Sequence, residues 1–169
     1  IDALNVFPVP DGDTGTNMLL TMRSSIEEAY GINESSASAV AKSLARGALM
    51  GARGNSGVIL SQIWHGIAQG VLNKQSLTGA DLAEALQQAS TMAYKGISNP
   101  VEGTILTVIK DAAAAAQTQA SDGGSEPLAV LETAVDAANE SVANTPTLLP
   151  VLREAGVVDA GGQGLYTIL

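Results

Sequence analysis

The chain contains no cysteine, which removes disulfides, thiolate nucleophiles and Cys-ligated zinc together. Aromatic residues are almost as scarce: one Trp, one Phe and three Tyr make up 3% of 169 residues, although apolar residues reach 46%. The core must therefore be filled by Ala, Leu, Val and Ile, whose small side chains suit closely packed helices better than aromatic-rich sheets. Basic residues number 8 against 17 acidic, a formal net charge of −9, so the field of the molecule repels a nucleic-acid backbone and no nucleic-acid partner is expected. An anionic small molecule is compatible with this charge only where metal ions and backbone N–H groups neutralise it locally. No apolar stretch reaches the ~18 residues of a membrane span, and Ile1 to Asn5 lack the charged and apolar regions of a signal peptide. A cytoplasmic location is the simplest expectation.

By the usual size scaling, a chain of this length buries roughly 70% of the surface its unfolded form exposes. That suffices for one domain over residues 1–169 and would be cramped for two. The chain begins inside a patterned segment and stops at Gly164-Leu165-Tyr166-Thr167-Ile168-Leu169 without a helix stop signal, so a fragment of a longer protein is expected.

Helical periodicity dominates. Between Asp81 and Ala93 the apolar positions Leu82, Ala85, Leu86, Ala89, Met92 and Ala93 follow the i, i+3, i+4, i+7 template, with Thr78 and Asp81 both candidates for the cap. From Pro127 onward Leu128, Leu131, Val135, Ala138 and Val142 repeat the pattern, and Pro146 is expected to end that helix or follow it. Further helices are expected at Thr16–Ala29, Ala37–Leu49, Ser56–Leu72, Thr104–Gln117, Thr147–Glu154 and from Gly162 to the end, about eight in all. Turn-forming clusters separate them at Asn33–Ser36, Asn73–Ser76, Ser98–Pro100 and Ser121–Ser125. No segment alternates with period 2. The expected fold class is all-α: an up-and-down bundle or closed barrel of antiparallel amphipathic helices.

Four Gly-containing polar clusters carry the chemistry. In Asn5-Val6-Phe7-Pro8-Val9-Pro10-Asp11-Gly12-Asp13-Thr14-Gly15-Thr16-Asn17-Met18, two prolines stiffen a loop that presents two carboxylates. Mg²⁺ prefers oxygen ligands and takes one or two protein carboxylates plus substrate phosphates, which suits this loop. A solvated Asp-Gly turn is the ordinary reading of such a segment on its own. A calcium loop is excluded, because with Asp11 as its first position Thr16 stands where Gly is required and Met22 where a bidentate Glu is required. The second cluster, Gly47 to Gly57, places Gly51-Ala52-Arg53-Gly54-Asn55-Ser56-Gly57 at a helix start where a phosphate could meet free N–H groups. It also reads as a helix joint in which Gly47 and Gly51 permit close packing. It is no P-loop, since Gly-x-x-x-x-Gly-Lys-Ser/Thr occurs nowhere. The third and fourth, Glu102-Gly103-Thr104 and Asp159-Ala160-Gly161-Gly162-Gln163-Gly164, read as caps or turns taken singly. All four fall at helix starts, so a bundle could gather them into one pocket. His65, the single histidine, sits in an apolar helical run and gives no support to a His-based nucleophile.

Taken together, the segments 5–18, 51–57, 102–104 and 156–164 resemble the nucleotide-binding subunit family of dihydroxyacetone kinases, and within it the amino-terminal ATP-binding domain of bacterial fatty-acid kinases. The resemblance runs through nearly the whole chain, and four motifs in order are far more specific than any one. It implies a closed barrel of eight antiparallel helices with ATP at one end. In the dihydroxyacetone kinase relatives three Asp hold two Mg²⁺ ions; Asp11 and Asp13 match the last two, and Asn5 stands at the first, where an uncharged ligand would weaken a second ion. Carried over in the same way, Thr14, Gly15, Thr16 and Asn17 would line the nucleotide, Asn55 and Ser56 would approach its phosphates, Gly103 and Thr104 would flank it, and Asp159, Gly161 and Gly162 would form the far wall. Asn144 occupies a position where similar sequences often carry Arg.

The function so implied is transfer of the ATP γ-phosphoryl group to a fatty-acid carboxylate held on a separate lipid-carrying protein. Such transfer needs positioning and charge neutralisation more than a nucleophile from the domain. An isolated domain of this size would bind ATP and show little activity. Two other functions stay open: phosphorylation of dihydroxyacetone held on a partner subunit, and a helical module holding a lipid with a purely structural Asp loop. Oligomeric state is also open, a homodimer included.

Overall fold

A computed structural model describes residues 1–121 and 126–169. Among these residues it contains one short 3₁₀ turn, Asp2–Leu4, and eight α-helices: α1 (Thr14–Tyr30), α2 (Ala37–Gly51), α3 (Gly54–Gly70), α4 (Gly79–Lys95), α5 (Ile105–Ser121), α6 (Pro127–Leu148), α7 (Pro150–Ala155) and α8 (Ala160–Ile168). The turn expected at Ser121–Ser125 lies outside the described residues from 122 onward. No helix is long and apolar enough to cross a membrane among the described residues.

Successive long helices run antiparallel, as short connections dictate. Ser25 of α1 donates to Leu44 O of α2, while residue 66 of α3 lies against residue 89 of α4 and residue 70 against residue 85. Ser141 of α6 donates to Asp111 of α5, and Leu149 lies against Gly103. Each of α1 to α6 packs on its successor, and α8 touches α5, α6 and α1, so the order of neighbours closes into a ring. The interior is solid. Ile105, Leu106, Thr107, Val108 and Ile109 are buried on every side of the first turns of α5, so this helix is a central element and departs from the amphipathic pattern expected of all eight. The alanine run continues it, with Ala112, Ala113 and Ala116 fully buried.

Small residues set the helix spacing. A Cβ at Gly66 would stand 2.4 Å from Ala89 Cα and Gln88 O, and one at Gly47 would stand 2.3 Å from Ser24 O. Backbone therefore meets backbone where α3 crosses α4 and where α1 crosses α2. This is the close-packing role expected for Gly47 and Gly51, the latter lying over Ser24.

Local signals explain most of the helix ends. Ser36 caps α2 by accepting from Ala39 N, and Pro127 opens α6 at a position where its missing N–H costs nothing. Of the two candidates at α4, Thr78 is the cap and Asp81 completes a capping box. Asp81 also pairs with Lys74 at 2.7 Å, and its hydrogen bonds to Lys74 and Thr78 hold its pKa down to about 2.

One boundary differs from expectation. Helix α6 does not stop before Pro146 but runs through it to Leu148, and α7 begins only at Pro150. A proline at 146 withholds the N–H that Val142 O would receive. The fully buried Thr145 supplies the missing donor, its hydroxyl reaching Val142 O at 2.7 Å.

The Gly66 contact gives a stability prediction. Gly66→Ala gains helix propensity of up to ~1 kcal/mol but forces α3 and α4 apart at the backbone. Overpacking costs about 1–3 kcal/mol, and a clash with backbone at 2.4 Å belongs to the upper part of that range, about 2–3 kcal/mol, so a net loss of about 1–2 kcal/mol is expected in urea denaturation. A variant as stable as the parent would show that the helices can separate freely.

Candidate functional site

The site begins with a loop that carries its own internal scaffold. Residues 5–13 leave the 3₁₀ turn and enter α1, with Gly12 in the left-handed region at φ 68°, a conformation that favours glycine. The buried Asn5 side chain spans the loop, donating through Nδ2 to Val9 O and, at 3.3 Å, to Asp11 Oδ1, while Oδ1 accepts from the Thr14 hydroxyl.

Asp13 occupies the N-cap position of α1 but makes no capping hydrogen bond. The cap comes from farther away. Asp2 accepts from Thr16 N at 2.9 Å and from Thr16 Oγ1 at 2.7 Å, and these bonds lower its pKa. Asp13 is thereby released from the role its position would give it, and both Asp11 and Asp13 are exposed.

The start of α3 faces this loop. Gly54, at φ 57°, packs over the Asn17 side chain, where a Cβ would stand 2.4 Å from Nδ2. Arg53 N donates to Thr21 Oγ1, and Ser56 Oγ reaches Thr14 O at 3.4 Å. The first helical bond is Gly57 N to Arg53 O at 2.9 Å, so the N–H groups of Gly54, Asn55 and Ser56 precede it and point out of the helix end.

The start of α8 supplies the third side. Asp159 caps it, accepting from Gly162 N at 2.7 Å, and its own N–H is held by Thr145 Oγ1 at 3.0 Å. Burial pushes the Asp159 carboxyl up to about 6, although backbone N–H groups of Gly162 and Ile105 oppose the shift.

These elements surround one cavity of about 780 Å³. Asn5, Asp11, Asp13 and Thr14 line it from the loop, Asn55 and Ser56 from α3, Thr104 from the approach to α5, and Asp159 and Gly161 from α8. All four sequence clusters thus contribute to a single cavity. Five of the expected residues do not line it. Gly15 lies against Ile1 and Asp2, and Asn17 lies beneath Gly54. Thr16 is engaged by Asp2, Gly103 packs on Leu148 and Leu149 while donating to Thr107 Oγ1, and Gly162 sits against Val108. These five are engaged by neighbouring residues and do not open onto the cavity.

Glu102 is likewise a structural hub. It accepts from Tyr94 OH, Thr107 Oγ1 and Lys110 Nζ at 2.7–2.9 Å, and these bonds, Lys110 foremost, lower its pKa. Asn144 and His65 are exposed and stand outside the cavity, as does Arg53, which borders a smaller hollow beside Glu27 and Glu28.

Sequence reasoning missed the apolar half of the wall: Phe7, Val9, Val58, Ile59, Ile97 and Val101. Ile97 and Val101 flank a Ser-Asn-Pro turn, and an apolar pair bracketing a loop was the available signal. The lining contains three carboxylates and no Lys or Arg. Among the described residues no three His, Cys, Asp or Glu side chains converge to hold a metal. An ion at this loop would therefore rest on two carboxylates and complete its shell from a ligand and water.

The raised pKa of Asp159 has a measurable effect. Between its unfolded value of 3.8 and about 6, the folded chain keeps a proton that the unfolded chain has released. Asp159 therefore lowers stability as pH rises through that window, by about 3 kcal/mol in total, with no further change above it. Asparagine can still accept from Gly162 N. Relative to the parent, Asp159→Asn is expected to gain about 3 kcal/mol between pH ~4 and pH ~7, read from urea midpoints across that range; a difference independent of pH would mean that the carboxylate is ionised at no cost.

The sequence matches the DAK2 domain over residues 8–169. Protein YloV of Bacillus subtilis (strain 168) is 49% identical over 168 residues, covering 99% of this chain and 30% of that protein. Uncharacterized proteins of Staphylococcus aureus strains bovine RF122 / ET3-1 and USA300 show the same identity and coverage. The chain thus spans 30% of the length of these relatives. Matched across residues 8–169, this all-helical chain belongs to the DAK2 domain family.

Proposed function

We propose that this domain binds Mg²⁺-ATP in the cavity at the four helix starts and serves as the nucleotide-binding part of a kinase. One observation carries the reading. Asp11 and Asp13, freed from capping, share a single cavity with the outward N–H groups at the start of α3.

Electrostatics makes a metal obligatory in this reading. A triphosphate brought beside three carboxylates with no cationic side chain on the wall is repelled unless a cation lies between them. Mg²⁺ keeps several waters and uses one or two protein carboxylates, so Asp11 and Asp13 fit it. When bound, the ion supplies the charge neutralisation that phosphoryl transfer requires. The chain's own groups do the rest: the N–H groups at the α3 start hold phosphate oxygens, and the apolar wall of Ile59, Ile97 and Val101 offers a face to the base.

The acceptor is a fatty-acid carboxylate presented by a lipid-binding carrier protein, a choice that rests on the resemblance of the four motifs. In this proposal the portions of the longer relatives outside this domain hold or dock that acceptor. Dihydroxyacetone on a partner subunit is the alternative, and an assay offering each acceptor with its partner separates the two.

Two outcomes test the reading. Calorimetry with a non-hydrolysable ATP analogue is expected to show binding only with Mg²⁺. Asp11→Ala and Asp13→Ala should each abolish it while leaving helicity intact and stability within about 0.5 kcal/mol of the parent, because both residues are exposed and neither caps α1. Binding that survives either substitution would remove that residue from the metal site. In a separate assay, this domain with ATP and free fatty acid should form little or no acyl phosphate; robust formation would show that it needs no docking domain.

A further inference from the structure

The Asn5 side chain has a chemically fixed orientation. Val9 O and Asp11 Oδ1 both lie at its Nδ2 end, and both only accept, so the amide NH₂ must face them. The other end, Oδ1, is buried and already accepts from the Thr14 hydroxyl. Its backbone N–H is also used, donating to Asp2 O at 3.1 Å. The oxygen that would have to reach a metal already gives one of its two lone pairs to Thr14 and lies at the end turned from Asp11, while the end nearest Asp11 carries protons.

We infer that Asn5 is a positioning residue for the Asp11–Asp13 loop and not a metal ligand. This inference rests on the Mg²⁺-ATP reading above. One amide ties residues 5, 9, 11 and 14 together, which spans the loop from the end of the 3₁₀ turn to the first residue of α1. A carboxylate at position 5 would set an acceptor oxygen, in place of the NH₂, against Val9 O and Asp11, and that side of the loop would then close only around a cation or a shared proton. The neutral amide closes it without one. Asp11 is held by a donor before any ion arrives, as groups behind a metal ligand commonly do.

Mn²⁺ titration of the protein, followed by electron paramagnetic resonance, together with thermal melts in chelator, tests the assignment. Asn5→Ala should lower the metal-free melting temperature and also weaken Mn²⁺ binding, roughly 10- to 100-fold, the usual cost of removing an outer partner of a metal ligand. Thr14→Val is the second variant and guards against a misfolded Asn5→Ala. It frees Asn5 Oδ1, so a ligating Asn5 would bind Mn²⁺ as well or better, whereas a positioning Asn5 loses its anchor and binding weakens. Lost affinity with an unchanged metal-free melt in Asn5→Ala, or equal or tighter binding in Thr14→Val, overturns the inference in favour of direct ligation. A lowered melt with unchanged affinity also overturns it, leaving Asn5 purely structural. A parent that binds neither Mn²⁺ nor Mg²⁺ overturns the metal reading itself, and this inference with it.

Discussion

Where residue 66 meets residue 89, a backbone with no Cβ rests on another backbone, and the architecture follows from that closeness. Interiors reach native density only when voids are filled, and a chain with one Phe and one Trp has few large groups to fill them. Bringing helices together does the filling instead. Ala83, Ala89, Ala93, Ala112, Ala113, Ala134 and Ala138 are all fully or almost fully buried, and each contributes little volume but permits approach. The same constraint drives Ile105–Ile109 into the centre, where the first turns of α5, hidden on every side, add branched bulk to that of Leu60, Ile63, Leu86 and Val130 from the neighbouring helices.

Close helices also decide what the site is made of. With side chains short and spacing tight, the groups that meet at the cavity are helix ends and the loops entering them. The polar character of the cavity is therefore a matter of backbone N–H groups and short side chains such as Asp13, Asn55, Ser56 and Asp159. Long cationic side chains are absent from the lining. Within the loop, capping has been reassigned: Asp2 satisfies the N-terminus of α1, so that Asp13 need not.

Much of this was legible in the sequence, because local signals did the work. Helical periodicity, Thr78 with Asp81, Pro127 and the glycines of 47–57 each act within a few residues, and the helices stand where those signals put them. The gathering of four polar clusters into one cavity followed from their common position at helix starts. What escaped depended on longer reach. Nothing near Asp13 announces that Asp2 takes its capping role. Gly103, Thr16 and Asn17 look like site residues by composition, yet each is engaged by residues outside the cavity lining or by a neighbour's backbone, and none lines the cavity. The apolar wall at Ile97 and Val101 sits in a connection where periodicity has no purchase. Pro146 was read by the rule for an isolated helix, and the donor that suspends the rule is a single hydroxyl.

That hydroxyl makes Thr145 and Pro146 a single genetic unit. It donates to Val142 O, which the proline orphans, and accepts from Asp159 N, which opens α8. Losing the hydroxyl while keeping the proline leaves a buried carbonyl and a buried N–H both without partners. Replacing the proline alone supplies the ordinary donor to Val142 O and frees the hydroxyl to serve Asp159 by itself. The two positions are therefore epistatic, and the order of change matters: position 146 can drift first at little cost, whereas position 145 can drift only afterwards and only if α8 finds another anchor.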